Sequence, residues 1–163
     1  MTDDWHSRVA ALWDDETVSD DERIALMDRL AAERPAGEAR ALFERAGARD
    51  AAGREAEAEP LYRAALEAGL DDDHRPQAVI QLASTLRNLD RPDEAMRMLR
   101  AELDRDPVSP LRDEAAAFLA LCLVSAGDAR EAASVALTTL APHLTRYRRS
   151  VASYAAELRA DGA

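Results

Sequence analysis

Three histidines, one cysteine and a run of three aspartates are the residues of this chain best suited to metal or nucleophile chemistry, so their spacing is tested first. His6, His74 and His143 are far apart and form no HExxH or other metal-ligating spacing. Cys122 stands alone, which rules out a disulfide or a cysteine zinc cluster within one chain, and its apolar surroundings predict a buried, inert thiol. Asp71, Asp72, Asp73 and His74 lack the alternating oxygen ligands, the glycine and the distal glutamate of a calcium loop; a solvated loop capping the next helix is the expectation. A glycine-rich phosphate loop, a GxSxG elbow and a Cys/His pair are all missing. No enzyme, cofactor or metal is therefore expected. A hydrolase or transferase working from an Asp or Glu would require a closed pocket with perturbed carboxylates. What remains is the chemistry of recognition: carboxylates, amides and guanidinium groups on a helical surface.

Formal net charge is −11, and all 21 basic residues are arginine. Nucleic acid and anionic membrane both need a basic footprint, so neither is expected as a partner. The charge is uneven. Residues 1–38 hold eleven acids against four arginines, whereas residues 141–163 hold four arginines against two acids. Such asymmetry can orient partners or match one end of the array to another. The acidic N-terminus has no long apolar run, which argues against a signal peptide or membrane span and for the cytoplasm.

The elements that would carry these groups follow from composition and period. Ala and Leu dominate an apolar fraction of 47%, aromatics are 4%, and charged residues are 33%, a mixture that favours helices throughout and no sheet. Sliding the sequence by 37 residues superposes Ala46, Ala83 and Ala120; Gly53, Asp90 and Gly127; Ala58, Ala95 and Ala132; and Leu66, Leu103 and Leu140. A fixed period in this range marks units that cannot bury their own apolar faces and must stack on neighbours.

Trp5, Val9, Leu12 and Trp13 predict a short helix over 3–14, and Ser19 with Glu22 forms a capping box opening a second, lined by Ile24, Met27, Leu30 and Ala31. These helices fall outside the 37-residue register and are assigned as an N-terminal cap, residues 1–37. Three hairpins follow at 38–73, 74–109 and 110–143. Pro60 should make its helix begin late or bend. Asp90 is placed as an N-cap with Pro92 in the first turn, and Ser109 with Pro110 as another cap and first-turn proline. Asp128 with Glu131 starts a further helix. Tyr147, Val151, Tyr154, Ala155 and Leu158 recur at steps of three and four, predicting a C-terminal capping helix within 144–163 that packs on the third hairpin.

Helix, short turn, helix, with small residues at the contact and a proline at the exit, resembles the tetratricopeptide repeat. The resemblance rests on Ala46, Ala83 and Ala120, on Gly53 and Gly127, on Ala58, Ala95 and Ala132, and on Tyr62 and Pro107. It covers roughly residues 38–142. Leu42, Val79 and Ala116 stand where the family usually has tryptophan, Asp90 replaces one turn glycine, and the period is three residues longer than usual. The blocks around Glu44 and Leu86 are also similar to a group of bacterial proteins of this type. The resemblance implies an all-α, right-handed α-α superhelix of about three hairpins, with the first helix of each pair lining a concave groove that binds a peptide or protein partner. It places Glu44, Asp50, Gln81, Ser84, Arg87 and Asn88 as polar contacts, with Tyr147, Arg148 and Arg149 at one end. On residue chemistry alone, the polar stripe on the helix around Arg87 is equally an ordinary solvated face. Ala117, Phe118, Leu121 and Val124 form an apolar row that the C-terminal helix is expected to fold over; left open, it would be a docking surface. Homodimerisation through that row or through the tryptophan-bearing cap is the alternative function.

Antiparallel helices about 8–10 Å apart need Ala or Gly where their axes approach. Leucine at Ala83 or Ala95 should therefore overpack and lower stability by roughly 1–3 kcal/mol, measured by urea denaturation; an unchanged midpoint would remove the close approach.

Overall fold

The computed structural model describes residues 4–160 apart from residue 106. Among these, every regular element is helical: α1 (Asp4–Asp14), α2 (Asp20–Ala31), α3 (Ala39–Ala51), α4 (Glu55–Ala68), α5 (Arg75–Asn88), α6 (Pro92–Leu103), α7 (Arg112–Ser125), α8 (Ala129–Leu140), a 3-10 turn (Ala141–His143) and α9 (Arg148–Ala160). The chain divides into two compact units near the end of α5, one running to Thr85 and the other starting at Leu86. Each is a run of helices packed on their chain neighbours, α1 to α4 in the first and α6 to α9 in the second. This is the arrangement of a helical solenoid.

The periodic alanines are the contact residues. Ala46 on α3 and Ala58 on α4 have no exposed surface, and Tyr62 and Ala65 are equally covered. Ala120 and Ala132 serve α7 and α8 in the second unit, at 8% and 3% exposure. The turns repeat just as closely. The N–H groups of Arg54, Arg91 and Asp128 donate to the carbonyls of Arg49, Leu86 and Leu123, each at 2.9 Å and each five residues back. This is the long bond of a Schellman ending, which requires one residue in the left-handed region. Gly53 (φ 69°), Asp90 (φ 58°) and Gly127 (φ 88°) supply it. Asp90 thus takes the turn-glycine position and not the N-cap; the residue before α6 is Arg91, whose side chain makes no capping bond.

The N-terminal pair is held by its tryptophans and by one arginine. Trp5, Val9, Leu12, Ile24 and Met27 cluster with Ala41 and Ala48 of α3, so α2 is the surface against which the first hairpin packs. Trp5 donates its indole N–H to the Leu30 carbonyl at 2.7 Å, and the Arg34 guanidinium lies 5.2 Å from the Trp5 ring. Arg23 donates to the carbonyls of Leu12 and Asp15, the end of α1 that lacks helical partners. The capping box of Ser19 and Glu22 is formed, with both carboxyl and hydroxyl engaged.

Three local expectations change. α4 begins at Glu55 and runs through Pro60, which is exposed, so the lost hydrogen bond falls at the surface. Ser109 accepts from the Leu111 N–H at 3.4 Å and shapes the connection, while α7 starts only at Arg112. α9 forms and packs on α8, but it does not bury its tyrosines. Ala155 is its buried contact, Ser134 donates to the Ala155 carbonyl at 2.6 Å, and Arg130 donates to that of Leu158 at 3.0 Å. Tyr147 and Tyr154 stay 75% and 63% exposed.

A left-handed aspartate carries a steric cost that glycine avoids. Asp90→Gly should raise stability by about 1 kcal/mol, seen as a higher urea midpoint with unchanged slope, and Asp90→Val should lower it; the reverse order would contradict the turn assignment.

Candidate partner-binding surface

The first helices of the hairpins were expected to share a binding face, and the structure treats their residues unequally. On α3 the two carboxylates are committed inside the first unit. Glu44 is 3% exposed; its Oε2 accepts from the Trp13 indole N–H at 2.6 Å and its Oε1 from the Arg40 Nε at 2.6 Å. Trp13 comes from α1 and lies against Gly47, where a Cβ would meet the ring at 3.3 Å. The N-terminal helix therefore covers this stretch of α3. Asp50, half-buried, accepts from the Tyr62 hydroxyl at 3.2 Å and the Thr85 hydroxyl at 3.1 Å. Glu44 and Asp50 do not present free carboxylates, and their assignment as partner contacts is corrected to that of internal acceptors. Nothing in their own residue types distinguishes the two roles; Trp13 thirty-one residues away does.

Burial sets the electrostatics of this unit. Loss of water pushes the Asp50 carboxyl above its ordinary value, and the Thr85 and Tyr62 hydrogen bonds only partly offset it. Asp28 shows the opposite balance: burial acts to raise it, but hydrogen bonds from Arg49 and Arg45, both at 2.8 Å, outweigh that and hold it low. His74 lies between the Asp71 carboxylate, 2.6 Å from Nδ1, and the Arg40 guanidinium at Nε2. Asp71 also accepts from the His74 backbone N–H at 2.9 Å, so the aspartate run caps the approach to α5. Among the described residues, no group of three or more His, Cys, Asp or Glu could hold a metal ion.

On α5, Gln81 and Ser84 are half-buried in the first unit, and the Gln81 Oε1 is buried without a hydrogen-bond donor among the described residues. Arg87 and Asn88 begin the second unit. Here the face is open. Arg87 reaches the Ser125 hydroxyl of α7 at 3.5 Å, the limit of a hydrogen bond, and its Nε is buried with no partner among the described residues. Its charge reaches the neighbouring Cys122, whose thiol burial pushes up and Arg87 pulls back only partly. α7 is apolar on all sides. Ala116, Leu119, Ala120, Cys122 and Leu123 are buried, whereas Leu121 and Val124 are 47% and 57% exposed. α9 packs on α8 and leaves this row uncovered, contrary to the expectation that the C-terminal helix folds over it.

Tyr147, Arg148 and Arg149 are exposed at the start of α9 and form a separate patch on the second unit.

A family model described as tetratrico peptide repeat matches residues 39–158, from the start of α3 almost to the end of α9. The chain belongs to the tetratricopeptide repeat family. No curated protein and no solved structure matches it significantly. Tetratricopeptide repeats generally mediate protein–protein interaction, and among the described residues no helix is long and apolar enough to cross a membrane.

The raised Asp50 has a consequence for stability. A carboxyl favoured in its protonated form by the fold loses stability for the protein as pH rises from the ordinary value of 3.8 through the raised one. Asp50→Asn should abolish that fall, so that its stability relative to wild type improves from pH about 4 to 7 in urea titrations; parallel curves would refute the burial cost.

Proposed function

We propose that the chain is a non-catalytic peptide-binding scaffold whose contact surface on the second unit combines the end of α5 with the outward row of α7. Arg87 and Asn88 supply a guanidinium and an amide; Leu121 and Val124 supply an apolar strip; Ser125 sits where the two meet. A half-exposed guanidinium beside uncovered aliphatic side chains favours a partner segment carrying a carboxylate or main-chain carbonyl next to an aliphatic side chain. The observation that carries the reading is the exposure of Leu121 and Val124 on an apolar helix whose Ala115, Ala116, Leu119, Ala120, Cys122 and Leu123 are buried. An apolar helix normally hides all its faces, so an open one marks an interaction surface. The absence of any convergent nucleophile, base and oxyanion donor in the residues of this face supports binding as its chemistry.

The test is quantitative affinity capture from cell extract by the wild-type chain, the Arg87→Ala/Asn88→Ala variant and the Leu121→Asp variant, with helical circular dichroism as control. A specific partner should fall at least about tenfold with both variants, the loss of roughly 1.4 kcal/mol of contact. Equal recovery from folded variants would dispose of the surface.

A further inference from the structure

The patch at the start of α9 belongs to neither the α7 row nor the packing of α9, and its composition is unusual for this chain. Residues 132–156 contain three arginines, Arg146, Arg148 and Arg149, and no acid, although the sequence holds 32 acids in 163 residues. All three arginines are exposed. Arg148 donates to the Leu144 carbonyl, while Arg146 and Arg149 make no hydrogen bond or ion pair among the described residues. Tyr147, just before α9 with a left-handed backbone (φ 64°), stands 75% exposed between them, and Tyr154, within α9, is 63% exposed. Tyrosine and arginine are the residues most enriched in the energetic centres of protein interfaces.

The complement lies in the first unit of the same chain. The turn between α1 and α2, residues 14–22, holds six acids, Asp14, Asp15, Glu16, Asp20, Asp21 and Glu22, with no basic residue, and all six are exposed. Asp14, Glu16 and Asp20 make no side-chain hydrogen bond or ion pair among the described residues. Directly beside the turn is a surface recess of about 390 Å³ lined by Thr17, Val18, Glu22, Ala25, Leu26 and Arg29. Val18, Ala25 and Leu26 give it an apolar wall, and Leu26 is 36% exposed. It has room for an aromatic side chain.

We propose that Arg146, Tyr147, Arg149 and Tyr154 dock onto the acidic α1–α2 turn of a second copy of this chain, with a tyrosine ring in the recess beside that turn and the arginines against Asp14 and Glu16. The net charge of −11 opposes contact between copies only over distance. At physiological salt the Debye length is about 8 Å, so this general repulsion is largely screened while charges paired directly at the contact are screened less. The contact joins two different surfaces, and it either closes reciprocally in a two-fold pair or repeats head to tail. It uses none of the α7 row, and it stands or falls separately from the peptide-binding surface.

Sedimentation equilibrium of the full chain tests it, with circular dichroism to confirm folding. Wild type should associate with rising concentration up to a few hundred micromolar, less so as salt is raised from roughly 50 to 500 mM. Tyr147→Ala/Arg149→Ala and Asp14→Asn/Glu16→Gln should each weaken association at least about tenfold. An equimolar mixture of these two variants keeps one intact patch and one intact turn, and should form a pair that grows no further. A wild type that stays monomeric throughout, a patch variant that associates like wild type, or a mixture that forms no pair overturns the proposal.

Discussion

The close approach of paired helices is the constraint on which this structure depends. Two helices cross within about 8–10 Å only if the crossing residues are small, and Ala46, Ala58, Ala120 and Ala132 meet that demand with almost no exposed surface. The hairpin closes only if one turn residue is left-handed, which Gly53, Asp90 and Gly127 provide at identical hydrogen-bond positions. Together these two requirements account for the 37-residue period and for a composition rich in alanine and poor in aromatics. Leu82, Leu86 and Leu99, all essentially buried, fill the space beside the contacts and supply much of the apolar area removed from water.

The first unit spends its acidity on its own structure. Asp28 receives Arg45 and Arg49, Glu44 receives Arg40 and Trp13, and Asp50 receives Tyr62 and Thr85. Each arrangement includes at least one bond between side chains of different helices of the unit. Buried carboxylates are tolerated because their oxygens find donors. Asp14, Glu16 and Asp20 at the α1–α2 turn are exposed instead.

The second unit is built from the same hairpins with a different surface. α7 carries apolar residues around its whole circumference, and α9 covers only the α8 side. The surplus apolar row on α7 and the surplus arginines at the start of α9 are features that packing within the unit leaves unused. The family's repeats generally mediate protein–protein interaction.

Local chemistry settled much of this protein from its sequence. The alanine columns, the Ser19–Glu22 capping box, the Asp128 cap and the 3.6-residue periodicity each depend on residues within a turn or two, so the nine helices among the described residues were legible, as were the pairings of α3 with α4 and α7 with α8. Asp90 was readable both as an N-cap and, from the column it shares with Gly53 and Gly127, as the turn residue; its left-handed backbone decides for the turn. The binding surface was legible only in part. Whether Glu44 meets a partner or Trp13, whether Leu121 lies beneath α9 or in solvent, and which face of α9 turns inward are decided by what packs nearby from distant sequence. Exposure is a property of those long-range neighbours, and only the tertiary structure supplies them.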